Sequence, residues 1–175
     1  MIQKYIFNTT NDKKFEEYKK FGFDVERSIE DIPEIVSDPY TLIIHKAKLA
    51  GKNVIVEDTS FDVEGADIGI NIKYKVQEVK NYIGNEAIER VLLAVLKEDN
   101  YIYVYEAEMH GKIIQATTSG WAYEPYFMPH GSNVSLAQHK PDHLNARRKI
   151  VNDFITNKWK MFSKIPEDWG GEWQK

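Results

Sequence analysis

Short apolar runs alternate with segments of helical period along this chain, and that alternation restricts the fold more than any other feature. The first run, Ile2 to Phe7, carries β-formers and breaks at Asn8-Thr9-Thr10-Asn11, where Thr and Asn can cap a helix. DKKFEEYKKFG follows, with Phe15 and Tyr18 three apart and Gly22 as a stop. Residues 23 to 37 contain DIPEI, extended before its proline. Residues 38 to 50 read as a second helix, with Leu42, Ile43, Ala47 and Ala50 on one side and Gly51 at its end. Asn53 to Val56 is a short buried-strand run that meets Glu57-Asp58-Thr59-Ser60. After a loop with Gly65 and Gly69, the pattern predicts helices at 71–82 and 85–97. It then predicts a hairpin of YIYVYEAEM and KIIQATT about His110-Gly111, and an aromatic loop, GWAYEPYFMPHG. A last helix from about 144 to 160 has an apolar face of Ile150, Val151, Phe154 and Ile155. Strands alternating with helices, plus one hairpin, imply an α/β fold with a mixed sheet.

With 175 residues and no Pro/Gly/Ser linker, a single domain over residues 1–175 is expected. A chain of this size can bury roughly 70% of its extended surface, enough for a core without staples. Cysteine is absent, which excludes a thiol nucleophile and Cys-ligated zinc or iron–sulfur centres. A net charge of −4 argues against nonspecific binding to duplex nucleic acid. No apolar run approaches the ~18 residues of a membrane span, and MIQKYIFNTTND lacks a signal-peptide core. The expectation is a soluble cytoplasmic protein with neither nucleic-acid nor membrane partners.

Several residue groups could carry chemistry. Acidic residues just beyond a buried strand are common metal or base positions, because strand ends open into clefts. VIVED offers Glu57 and Asp58, although a strand sends neighbours to opposite faces, so one of the two enters a given pocket. A solvated strand end explains them equally well. Glu34, after Ile32-Pro33, is a second candidate carboxylate, which taken alone reads as a loop acid. Thr9-Thr10-Asn11, at the head of a helix, suits phosphate, with Lys14 one turn in as a point charge, while capping alone also accounts for Thr and Asn. No GK[ST] loop is present. Trp121-Ala122-Tyr123-Glu124-Pro125 sets two rings two residues apart, suited to stacking a planar base while an acid reads its edge; a hydrophobic plug is the simpler reading. His130, His139 and His143 show no metal-ligand spacing, and Arg147-Arg148-Lys149 is a phosphate-facing helix start or a solvated face.

Taken in order, these pieces resemble the inosine-triphosphate pyrophosphatase family, hydrolases of noncanonical purine nucleoside triphosphates. The likeness runs over about residues 2 to 155. The family's T-x-N-x-x-K loop stands as Thr9-Thr10-Asn11-Asp12-Lys13-Lys14, followed by Glu17, and implies a triphosphate grip by that loop and lysine. The metal-binding glutamate falls on Glu34 and the phosphate-binding helix lysine on Lys46. The acidic signature is intact as Glu57-Asp58-Thr59, and VIVEDTSFDVE is the most specific match. P-G-x-Y-x-K/R survives only as Ile68-Gly69-Ile70-Asn71-Ile72-Lys73, which keeps the cation. The base-binding motif appears as Trp121-Ala122-Tyr123-Glu124-Pro125, with Glu in place of Asp. In the C-terminal signature Lys140 fits the lysine, but Ser-His-Arg is broken. Placing Arg147 on the arginine leaves Asn145 and Ala146 for Ser and His; placing His143 on the histidine leaves Leu144 for Arg. The first is preferred, because Ile150 and Val151 then reproduce the apolar pair that follows.

The resemblance implies an elongated, curved mixed sheet flanked by helices in two lobes, with a nucleotide groove between them. It implies hydrolysis of ITP-, dITP- or XTP-like substrates to the monophosphate and pyrophosphate by a homodimer using Mg²⁺, with Mn²⁺ as a substitute. Glu34 and Asp58, together with Glu57, would hold the metal. Asp58 would also act on water, while Lys14, Lys46, Lys73 and Lys140 neutralise the triphosphate. Two other readings stay open: a nucleotide-binding protein of this fold with reduced or lost turnover, and an unrelated α/β interaction module. No role is assigned to the Trp-rich tail, 159–175.

Overall fold

The computed structural model describes residues 4–174, so the Ile2–Gln3 start of the first expected strand lies outside the described residues. Strand β1 (Ile6–Asn8) leads into helix α1 (Asp12–Lys20), whose N-terminus is capped by Asn11, with Oδ1 accepting from the Lys14 amide at 3.1 Å. Gly22, at φ 82°, takes the left-handed conformation that ends the helix. Strand β2 (Glu26–Ser28) then pairs parallel with β1. Helix α2 (Pro39–Ala50) starts with Asp38 as cap and Pro39 in its first turn, and stops at Gly51. It delivers strand β3 (Val54–Val63) parallel to the other side of β1. These are two strand–helix–strand crossovers, the connection that parallel neighbours require.

The short helix α3 (Ile72–Lys75) continues as a 3₁₀ turn to Tyr82. Strands β4 (Glu86–Leu96), β5 (Tyr101–Ile113) and β6 (Phe127–Pro129) follow, then helix α4 (Ala146–Ile155) and strand β7 (Met161–Lys164). The sheet order is β2-β1-β3-β4-β5-β6, with β7 also on β5, antiparallel, giving the expected mixed α/β fold.

Four expectations need correction. Residues 85–97 are strand β4, not helix. Val91 to Leu96 is buried on both faces of the sheet, and a continuous apolar run carries no period to tell strand from helix. His110-Gly111 is no turn: β5 passes straight through it. A Cβ on Gly111 would meet the Met128 carbonyl and the Phe127 ring of β6, so this glycine permits close approach. The hairpin lies earlier, where Lys97–Asn100 joins neighbours β4 and β5 and Asn100 takes φ 65°. The last helix stops at Ile155, well short of 160; Asn157 turns left-handed (φ 56°) and β7 returns to the sheet. Finally, β3 does not end at Val56 but runs on to Val63, so Glu57 and Asp58 stand mid-strand.

The chain condenses into two compact units. The first comprises residues up to 58, 91–106 and from 147; the second, 59–90 and 107–146. In the first, Ile43, Ile44 and Ala47 of α2 pack on Val56, Leu92, Ala94, Ile102 and Val104, filling one face of the sheet. Against β1, Phe7 meets Tyr18 of α1 edge-on with ring centroids 4.8 Å apart, and Phe23 meets Phe154 of α4 at 5.2 Å. The second unit is cored by Phe61, Val63, Ile68, Val79, Met109, Tyr123, Phe127 and Leu136.

Candidate active site

Pleat alternation along β3 sorts the acidic pair. Val56 packs toward α2, so Asp58 shares that face, while Glu57 points to α1 and α4. Glu57 is 4% exposed, and its carboxylate is surrounded by cations. Arg147 Nε donates to Oε2 at 2.9 Å, Arg147 Nη2 to Oε1 at 3.3 Å, and Lys14 Nζ lies 2.9 Å from Oε1. Arg147 also lies 3.6 Å from Glu17, with its guanidinium 5.9 Å from the Tyr18 ring centroid. Burial works against the Glu57 charge, but Arg147 and Lys14 outweigh it and hold the carboxyl well below its usual range. Burial likewise opposes the Arg147 charge, and Glu57 keeps it protonated. Breaking such a pair would strand a buried charge.

On the other face, Lys46 Nζ of α2 donates to Glu34 Oε1 at 2.9 Å and to the Glu57 carbonyl at 3.0 Å. Asp58 sits in this field. Burial raises its pKa, Lys46 lowers it and Glu34 raises it, leaving it at about 6 against an ordinary 3.8. A carboxyl tuned toward neutrality beside a fixed ammonium is suited to proton transfer. Among the described residues, no three His, Asp or Glu side chains form a ready cage for a metal. The hard oxygen donors of Glu34 and Asp58 nevertheless fit Mg²⁺, which takes one or two carboxylates and completes its shell with phosphate oxygens and water. Glu57, also expected among the ligands, has both oxygens engaged by Arg147 and Lys14.

At the head of α1, Thr9 Oγ1 accepts from the Asn11 amide at 3.1 Å, and Arg27 Nε donates to the Thr9 carbonyl at 3.1 Å. Asn11 is the cap, and Thr10 stands exposed. Asn8, not singled out by the sequence, fixes this loop from below: its Oδ1 accepts from Ser28 Oγ and the Glu30 amide, each at 2.8 Å. A polar residue ending an apolar run was the available signal. Tyr18 read only as helix face, although it packs under the Glu57–Arg147 pair.

The second unit holds the other candidates. Thr59 follows Asp58 on β3, half-buried, and Lys73 is exposed on α3, its ammonium 4.9 Å from the Tyr74 ring centroid. The two rings of the aromatic loop do not stand together as expected. Ala122 takes φ 51°, and the reversal sends Tyr123 into the core, stacked on Phe61 at 4.0 Å, while Trp121 is 39% exposed. Lys140 Nζ lies 3.3 Å from Glu124 Oε1, so the loop acid and the signature lysine are brought together. Ala146 and Asn145 are buried, and His143 is exposed just before them.

A mixed sheet with two parallel crossovers, a polar loop heading a helix, and cations set against carboxylates on a central strand define an α/β protein equipped to bind a phosphorylated ligand. The Ham1 family model matches residues 5–152, and the chain belongs to that family, which bears out the resemblance read from its motifs. The fold agrees. The Ham1 protein of Staphylococcus aureus superposes with a TM-score of 0.68 at 19% identity, covering 89% of this chain and 100% of its own. A protein described as nucleoside-triphosphatase / dITP/XTP pyrophosphatase from Mycobacterium abscessus gives 0.62 at 19% identity, covering 91% and 100%. A HAM1 protein from Coxiella burnetii gives 0.63 at 16%, covering 89% and 98%.

Proposed function

We propose that this chain is a nucleoside-triphosphate pyrophosphatase acting on noncanonical purine nucleotides: NTP + H₂O → NMP + pyrophosphate. Family membership supports the reaction class, and the description of the Mycobacterium abscessus relative supports deaminated purines as substrates. The observation that carries the reading is the arrangement on β3: Asp58 on the face of the strand toward the Lys46–Glu34 pair, and Glu57, held by Lys14 and Arg147, on the other. Asp58 accepts the proton of the attacking water at the α-phosphorus, which general-base catalysis makes worth about 10²–10⁴-fold. Lys14 and Lys46 offset triphosphate charge, and Arg147 keeps Glu57 ionised so that Lys14 stays at its post. The family resemblance assigns Lys73 and Lys140 to the phosphates and Trp121 and Glu124 to the base. Mg²⁺, held by Glu34 and Asp58, would supply charge neutralisation at the phosphates, and Mn²⁺ would replace it.

Pyrophosphate release across ITP, dITP, XTP, GTP and ATP, with Mg²⁺ and with excess EDTA, tests the reading. Metal-dependent pyrophosphate and monophosphate support it; turnover in EDTA removes the metal, and no turnover removes the enzyme. One observation favours a binding protein instead: the position aligned with the family histidine is Ala146, buried and without a polar atom. Nucleotide binding without turnover would establish that alternative. A homodimer belongs to the same proposal, and light scattering on the full chain at micromolar concentration reads it directly.

A further inference from the structure

The C-terminal tail lies beyond the family match and grips one stretch of the first unit. Lys48 Nζ of α2 donates to the Pro166 carbonyl at 2.8 Å and to Asp168 Oδ1 at 2.7 Å. Trp169 sets its ring edge-on to His45 of α2, centroids 5.4 Å apart, and its Nε1 donates to the Glu172 carbonyl at 2.9 Å. That bond closes a turn over Gly170 and Gly171, and a Cβ on Gly171 would fall 2.7 Å from the Trp169 ring. Beyond the turn, the tail pairs with residues 34–36. The Val36 amide donates to the Glu172 carbonyl at 2.9 Å, and the Gln174 amide donates to the Glu34 carbonyl at 2.8 Å. Gln174 Nε2 donates to the Ile35 carbonyl at 3.1 Å, and Ile35 forms an antiparallel bridge with Trp173.

Residues 29–34 belong to no helix or strand, so no ladder of their own fixes the backbone that carries the Glu34 carboxylate. The tail supplies what is missing: it binds the Glu34 carbonyl and the Val36 amide on one side, and α2, which carries Lys46, on the other. Buried Ile35 pins the middle residue from the core side.

We propose that residues 166–174 are a strap that positions Glu34 for divalent-cation binding, with Trp169 and Gln174 as positioning residues. The inference rests on the pyrophosphatase reading only in that the cation is assigned there to Glu34 and Asp58. Gly171→Ala displaces Trp169 from its turn, and Gln174→Ala removes one side-chain bond while keeping the backbone pairing; the second carries the test if the first fails to fold. Both are made in the full chain and read by two measurements without nucleotide: hydrogen exchange of the Val36 amide, and half-saturation by Mn²⁺ alone from water-proton relaxation. The expected result is faster Val36 exchange and a half-saturating Mn²⁺ concentration raised about tenfold, the low end for losing a group that orients a metal ligand. Unchanged Val36 exchange, faster exchange with unchanged Mn²⁺ affinity, or no Mn²⁺ binding by the wild type would overturn the strap. A wild type whose Mn²⁺ affinity depends on the strap but which hydrolyses no triphosphate leaves the strap standing and removes the pyrophosphatase reading.

Discussion

The charged cluster around Glu57 and Asp58 in the first unit and the aromatic loop at 121–125 in the second are both matched by family motifs, yet they are built on different physics. Around Glu57, cations arrive from two helices onto one buried carboxylate, and Glu57 and Arg147 each hold the other in its charged form. In the loop, a single backbone reversal at Ala122 divides two neighbouring rings between core and surface. The first region is specified by side-chain charge and tolerates little; the second is specified by backbone conformation, which leaves one ring exposed beside a Lys–Glu pair. Mutations should separate the two sharply.

The largest effect is expected at Arg147. Arg147→Ala strands the buried Glu57 carboxylate and should cost about 3–5 kcal/mol in denaturant unfolding. Lys140→Ala, removing the corresponding cation of the loop pair, should cost about 1 kcal/mol or less. Equal costs would erase the distinction.

Next comes Asp58→Asn, which should lower kcat on the order of 10²-fold or more. The same variant tests the direction of the pKa shift. The folded value of about 6 lies above the ordinary 3.8, so the folded state binds the proton more tightly. The stability Asp58 contributes is complete below about pH 4 and lost as pH rises through 6. In metal-free buffer Asp58→Asn should therefore be more stable than the wild type at pH 7, with the gap closing toward pH 4. A gap that widens in acid contradicts the assignment. Glu57 carries the opposite sign: its contribution is present above its unfolded value and lost only in strong acid.

Within the loop, Tyr123→Ala should cost about 3 kcal/mol of stability through its core ring. Trp121→Ala should leave stability nearly unchanged and raise KM, since stacking is worth roughly 1–3 kcal/mol per base. The smallest effect concerns base choice. With buried Ala146 aligned to the family histidine, kcat/KM for ITP should exceed that for GTP and ATP by less than 10³-fold, because a site lacking a specific hydrogen bond does not penalise the wrong edge. A larger preference would transfer the histidine's role to exposed His143.

Capping and glycine stops carried local information, which is why α1 and α2 were legible to within a residue or two. The Val91–Leu96 run was not, because burial on both faces removes the period that distinguishes strand from helix. Glu57, Asp58 and Lys14 were legible as types and spacing, and Lys46 only through the family resemblance, but which acid faces which helix depended on β3 running on through them. Ala122 carries no side-chain signal for a positive φ, so the fate of Tyr123 could not be read. The tail's pairing with residues 34–36 joins positions too far apart in sequence for any local pattern to announce.

Turnover of ITP in H₂¹⁸O, with mass analysis of both products, tests the central claim most directly. Attack by Asp58-activated water at the α-phosphorus predicts one ¹⁸O in the monophosphate and none in pyrophosphate, with both products formed on the order of 10²-fold more slowly by Asp58→Asn. Label in pyrophosphate or orthophosphate, or labelled monophosphate formed at an undiminished rate by Asp58→Asn, would contradict it.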